Sequence, residues 1–171
     1  MNTWLPTILR EAGTDPTTAG KQLAVLVLIG LPTGLFVPPL AARFTSQVGL
    51  CVGFVIVFAI GLAGTISYAI YGLWPNAVWV WVFLLGIGLG SSFPLALTLV
   101  LLRSGSSETA RDLGSFMQGG GYIISALGPL TMGFLRDVTN SWSAAFVALS
   151  LALVVQLVSG IIVSRPVTIN E

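Results

Sequence analysis

Few side chains in this sequence could do chemistry, and the best of them fall in one stretch. Ser115, Gln118, Tyr122 and Ser125 recur at intervals of three, four and three, the spacing that sets residues on one face of a helix. Ser91 and Thr98, seven apart, share a face in the stretch before it. Hydroxyls, an amide and a phenol offer hydrogen bonds rather than bond-making. The sequence has no histidine and one cysteine, Cys51, inside an apolar run. A cysteine so placed reads as a small packing residue. No set of cysteines and carboxylates has metal-ligand spacing. Metal catalysis and histidine-based nucleophilic catalysis therefore have no candidates, and the residues call for no cofactor and no enzyme. Gly86-Ile-Gly-Leu-Gly90 is not a nucleotide fingerprint, because it lies inside an apolar span rather than between a strand and a helix.

The stripe supports two readings. Its side chains could hydrogen-bond a neighbouring helix, or they could line a cavity and touch a solute. Gln118 and Tyr122 are the stronger solute contacts, since they are larger and cost more to bury unpaired. Ser125 and Ser91 are secondary, because serine and threonine readily bond back to their own helix. Gly114, Gly121 and Gly128 form a second stripe about one residue's rotation away. Small residues let a neighbouring helix approach closely, so that stripe is expected to be a packing face.

The elements that carry these residues form a helical hairpin, 77–135. Its first arm, 77–102, and its second, 113–135, contain no charge. Each exceeds the roughly 20 residues that cross a bilayer as a helix. Each also contains glycine, serine and proline, which a simple anchor does not need. The charged segment 103–112 reads as the loop between them. In the second arm Tyr122 lies roughly 14 Å in from Leu113, near the middle of a hydrocarbon core about 30 Å thick.

The rest of the chain agrees with a membrane setting. Hydrophobic residues make up 55% of the 171 and charged residues 8%, against about a quarter charged in soluble domains. The thirteen charges sit in short clusters, with none between Arg43 and Arg103. A net charge of +1 gives no basic patch for nucleic acid. The expectation is an all-α polytopic membrane protein, one transmembrane domain over 1–171. Its spans are 23–42, 48–71, the two arms, and 142–163, joined by loops at 11–20, 72–76 and 136–141. Asp15 before Pro16 reads as an N-cap with proline at the first helical position. Residues 1–8 read as the last turns of a span whose beginning is missing, and 164–171 as a short polar tail.

Five crossings put the two ends on opposite sides of the membrane. Arg43, Arg103, Arg111 and Arg165 then share one side, and Arg10, Lys21 and Arg136 the other. All five tryptophans (Trp4, Trp74, Trp79, Trp81, Trp142) lie near the second side. Positive loops tend to stay cytoplasmic, which puts the C-terminus in the cytoplasm.

In the order of these features the chain resembles the C-terminal half of a major facilitator superfamily transporter, in the cyanate-transporter-like (CynX/NimT-like) branch. The resemblance rests on Trp4-Leu-Pro-Thr-Ile-Leu9, Gly30-Leu-Pro32, Val37-Pro-Pro-Leu-Ala-Ala-Arg43 and Ser92-Phe-Pro-Leu-Ala-Leu-Thr98. It rests also on Gln118 with Gly121-Tyr122, and on Ala126-Leu-Gly-Pro-Leu130 with Gly133. It implies that the N-terminal stub ends helix seven and that the five spans are helices eight to twelve. It also implies two halves rocking around a solute site near the midplane, in the inner (plasma) membrane. The sequence departs from the pattern at Ala42, where an aspartate is typical of the loop between helices eight and nine.

The function expected on this basis is alternating-access transport of a small polar or anionic solute, with Gln118, Tyr122, Ser125 and Ser91 as substrate contacts. The partners expected are the solute, the lipid bilayer, and either a missing N-terminal half or a second copy. The alternative is a truncated product or fragment with no transport of its own, since the chain opens in mid-helix.

Overall fold

A computed structural model describes residues 2–166. Among these it contains helices and turns and no strands. A short helix, α1 (Leu5–Glu11), leads into α2 (Pro16–Ala41), α3 (Val48–Tyr71), α4 (Val78–Arg103), α5 (Ser107–Thr139) and α6 (Ser143–Val163). Four of these, α2, α3, α4 and α6, are long and apolar enough to cross a membrane. The helix α5 is longest, at 33 residues, but its polar residues keep it out of that class. The chain is thus a multi-pass membrane protein with four apolar spans, one long amphipathic helix and a short leading one.

Local chemistry explains most of the boundaries. The Asp15 carboxylate accepts from the Thr18 N–H at 2.9 Å, capping α2 behind Pro16 as the sequence suggests. Gly72, with φ +65°, ends α3 in the left-handed conformation that glycine adopts without strain. Three expected loops prove partly α-helical. Pro16 to Gly20 already belongs to α2. The Ser106 hydroxyl accepts from the Thr109 N–H at 3.1 Å, so the charged turn before Leu113 winds into α5 from Ser107. At its far end α5 also takes in Arg136 through Thr139, leaving a short link closed by Asn140 at φ 48°. Of the expected polar tail, 167–171 lies outside the described residues.

The centre of the bundle is α4, gripped by α2 on one side and α3 on the other. Small residues let the backbones meet. A Cβ on Gly86 would stand 2.7 Å from the Leu26 carbonyl oxygen, and one on Gly61 2.8 Å from the Leu85 nitrogen. Gly90 lies against Gly30 and Thr33, and Gly88 against Phe58. The GxxxG pair of α4 therefore serves α2. Cys51 is a buried free thiol packed on Gly160 of α6, which fits a small packing residue. The helix α1 fills one end of the bundle with Leu5, Ile8 and Leu9, all fully buried.

The glycines of α5 behave differently. Around Gly114, Gly121 and Gly128 there is nothing within 4 Å of an added Cβ. The packing face expected there is open, and the two hairpin arms do not meet through their glycines. Only Met132 of α5 is buried. The physical reason is that α2 and α3 already occupy the glycine faces of α4.

Candidate functional site

The open helix α5 carries three of the four residues singled out by their spacing. Gln118, Tyr122 and Ser125 are all exposed, Tyr122 by 62%. They share one face, so the helix brings them together. The Ser125 hydroxyl donates to the Tyr122 carbonyl at 3.1 Å, while the amide of Gln118 and the phenol of Tyr122 make no hydrogen bond among the described residues. Ser91 is not with them. It is fully buried in α4 and donates to the Gly88 carbonyl at 3.1 Å. Thr98 likewise bonds back to the Pro94 carbonyl at 2.7 Å.

Amide and phenol groups that face hydrocarbon lose their water without replacement, which is costly. The α5 face therefore suits water, a solute or another protein surface better than lipid. On α2 a second broad face is uncovered, with Leu31, Leu35 and Phe36 exposed by 62%, 76% and 70%.

The orientation of α5 is fixed mainly at its C-terminal end. The Trp4 indole N–H donates to the Pro129 carbonyl at 3.0 Å, and the Trp4 ring lies against Gly133. Arg136 pairs with Glu11 at 2.9 Å, and the Trp142 indole donates to the same carboxylate oxygen at 2.9 Å. The Arg136 guanidinium also sits 5.7 Å from the Trp142 ring centroid, and the two tryptophan rings are 5.8 Å apart. Partial burial raises the Glu11 pKa, but the hydrogen bonds from Arg136 and Trp142 and the arginine charge outweigh it. The carboxyl is held below its ordinary range. This clasp ties α1, α5 and α6 together across 125 and 131 residues of chain.

On the other side of α5 the molecule has a groove of about 540 Å³, walled by α3, α4, α5 and α6. Leu113, Phe116 and Met117 face it. At about 100° per residue Leu113 and Phe116 lie roughly opposite Gln118, Tyr122 and Ser125, with Met117 at the edge between the two faces. At one end of the groove Gln156 donates to the Ser92 hydroxyl at 3.0 Å; at the other stands Arg103. Spacing gives Gln156, the largest polar residue within α6, only a weak signal: Ser159, three residues on, shares its face, and serines bond back to their own helix, as Ser159 does to the Val155 carbonyl at 2.7 Å.

No family model and no solved structure matches the chain. Curated proteins do. The chain is 38% identical over 157 residues to the uncharacterized transporter YycB of Bacillus subtilis (strain 168), covering 92% of this chain and 38% of that protein. It is 27% identical over 162 residues to the 2-nitroimidazole transporter of Escherichia coli (strain K12), covering 95% and 40%. To the cyanate transport protein CynX of the same organism it is 30% identical over 141 residues, covering 81% and 35%. The chain thus spans well under half the length of each relative. Across most of its own length the chain is similar to part of each of three named transporters, which are members of the major facilitator superfamily.

Proposed function

We propose that this chain forms the C-terminal half of a carrier that moves a small polar or anionic solute by alternating access. The observation that carries the reading is the open polar face of α5. It lies on a helix otherwise long enough to span, in a chain matched to named transporters. In this reading α5 also crosses the membrane, which makes five crossings. Its exposed face, with the uncovered face of α2, forms one wall of the solute pathway. The opposite wall is an N-terminal half, or in the second reading another copy of this chain. The site is Gln118, Tyr122 and Ser125, at the depth where alternating-access carriers bind. Ser91 acts behind it, within the packed core. No covalent step occurs: the solute shifts the balance between two conformations by binding one better.

Cyanate and 2-nitroimidazole are the probes suggested by the relatives' names. In the complete carrier, Gln118→Ala and Tyr122→Phe each remove one hydrogen bond, worth about 0.5–1.5 kcal/mol for neutral groups. Each variant should weaken binding of whichever probe the carrier takes by several-fold, with membrane insertion unchanged. Unaltered binding in both variants would sink the assignment.

A further inference from the structure

We propose that the groove between α3, α4, α5 and α6 is a binding site for an anionic phospholipid. Its phosphate would sit on Arg103 and one acyl chain would lie along the groove. The volume of about 540 Å³ falls in the range of ligand pockets, roughly 300–1,000 Å³. The walls are apolar, with Phe54, Leu95, Leu99, Phe116 and Val163 among them. From Ser92 at one end to Arg103 at the other the groove follows α4 for about 16 Å, the reach of an acyl chain rather than of a small solute.

The charge at its end selects the head. Arg103 Nη2 donates to the Gln47 side-chain oxygen and to the Ser164 carbonyl, the latter at 3.0 Å. Its Nε is buried with no partner. No carboxylate pairs with it: among the described residues the ion pair found is Arg136 with Glu11. A guanidinium carries five N–H donors in a planar fork that matches phosphate, and a buried donor left unmet is costly. Arg43, Arg111 and Arg165 stand at the same end of the helices, against Glu108 and Asp112. Basic residues between spans at a membrane surface attract anionic headgroups. A free anion would use the arginine and leave the apolar length empty. A neutral hydrocarbon would do the reverse. An amphiphile with one anionic head uses both. The groove lies on the far side of α5 from Gln118 and Tyr122, so the proposal stands apart from the solute site.

The test is native mass spectrometry of the full chain, released from mixed micelles holding phosphatidylglycerol or phosphatidylcholine of equal chain length. Phosphatidylglycerol should be retained about fivefold better, the effect of one arginine near a headgroup. Arg103→Gln should abolish that preference and Arg103→Lys should keep most of it. Ala96→Trp narrows the groove while leaving the arginine, and should lower retention of both lipids. The proposal fails if the unaltered chain retains both lipids equally, or if Arg103→Gln keeps the preference. It fails too if excess inorganic phosphate displaces the lipid while Ala96→Trp changes nothing, which would mark a site for free anions. Should Arg103→Gln not fold, the headgroup comparison and Ala96→Trp decide the matter.

Discussion

Alanine in place of glycine separates the two glycine stripes of this molecule by sign. At Gly90 a Cβ would run into Thr33 and the Gly30 Cα, and would stand 2.7 Å from the Gly30 carbonyl oxygen. Two of those neighbours are backbone, so no change of rotamer relieves the overlap. The helices α2 and α4 must separate, at the overpacking cost of about 1–3 kcal/mol. At roughly 2–4 °C per kcal/mol for a chain of this size, Gly90→Ala should lower the midpoint of thermal unfolding by about 2–12 °C. At Gly121 the added Cβ meets nothing within 4 Å. There the substitution gains the helix preference of alanine over glycine, about 0.5–1 kcal/mol, so the midpoint should hold or rise. The assay is thermal unfolding of the purified chain in one detergent, followed by helix content and monodispersity. If Gly121→Ala destabilises as much as Gly90→Ala, something packs on the α5 glycines and the account of that helix as an open wall is wrong. Gly121→Leu extends the comparison, since spacing alone marks it as disruptive and the structure leaves it room.

Other consequences can be checked separately. The depressed Glu11 carboxyl adds stability that is complete above the ordinary carboxylate pKa and is lost as pH falls through its lowered value. Glu11→Gln should therefore flatten the acid limb of a stability–pH curve, and the loss at neutral pH should stay within the roughly 0–1 kcal/mol of a surface ion pair; a curve unchanged in shape would exclude the clasp. Reporter fusions after Glu171 and within 139–141 should place the first in the cytoplasm and the second outside, and a periplasmic C-terminal signal would reverse the topology. Every aspartate and glutamate of the sequence lies at a span end or in a link, and histidine is absent; proton relays in membranes use embedded ionisable groups. Charge reversal at Asp112 or Asp137 in the complete carrier should leave proton coupling intact, and loss of coupling with normal expression would show that this half supplies the protonated group.

Much of the architecture was legible because membrane helices announce themselves by run length and by the absence of charge. Val48 to Tyr71 has both, and its ends were read to the residue. The Asp15–Pro16 start was legible because capping is local chemistry. The start of α5 was not, since Ser107 to Asp112 is polar and a helix can continue past the apolar stretch when Ser106 caps it. Glycine spacing showed that α5 could pack closely but not whether a partner reaches it. That is decided by α2 and α3, which take up the glycine faces of α4. The clasp of Trp4, Glu11, Arg136 and Trp142 joins residues more than 120 apart, and no local pattern encodes such a meeting. The periodic polar stripe was readable as a face. Its exclusion of Ser91 was not, because a serine that bonds back to Gly88 has the same letter as one that faces a solute.

The most direct measurement is the accessibility of α5 to a membrane-impermeant maleimide in the complete carrier, with Cys51 replaced by serine. Single cysteines at Gln118, Tyr122 and Ser125 would be compared with one at Phe116, on the groove side. The wall predicts labelling at the first three, slowed by bound solute, and little at Phe116. Equal protection at all four, or labelling that solute leaves unchanged, would contradict the claim that this face lines the pathway.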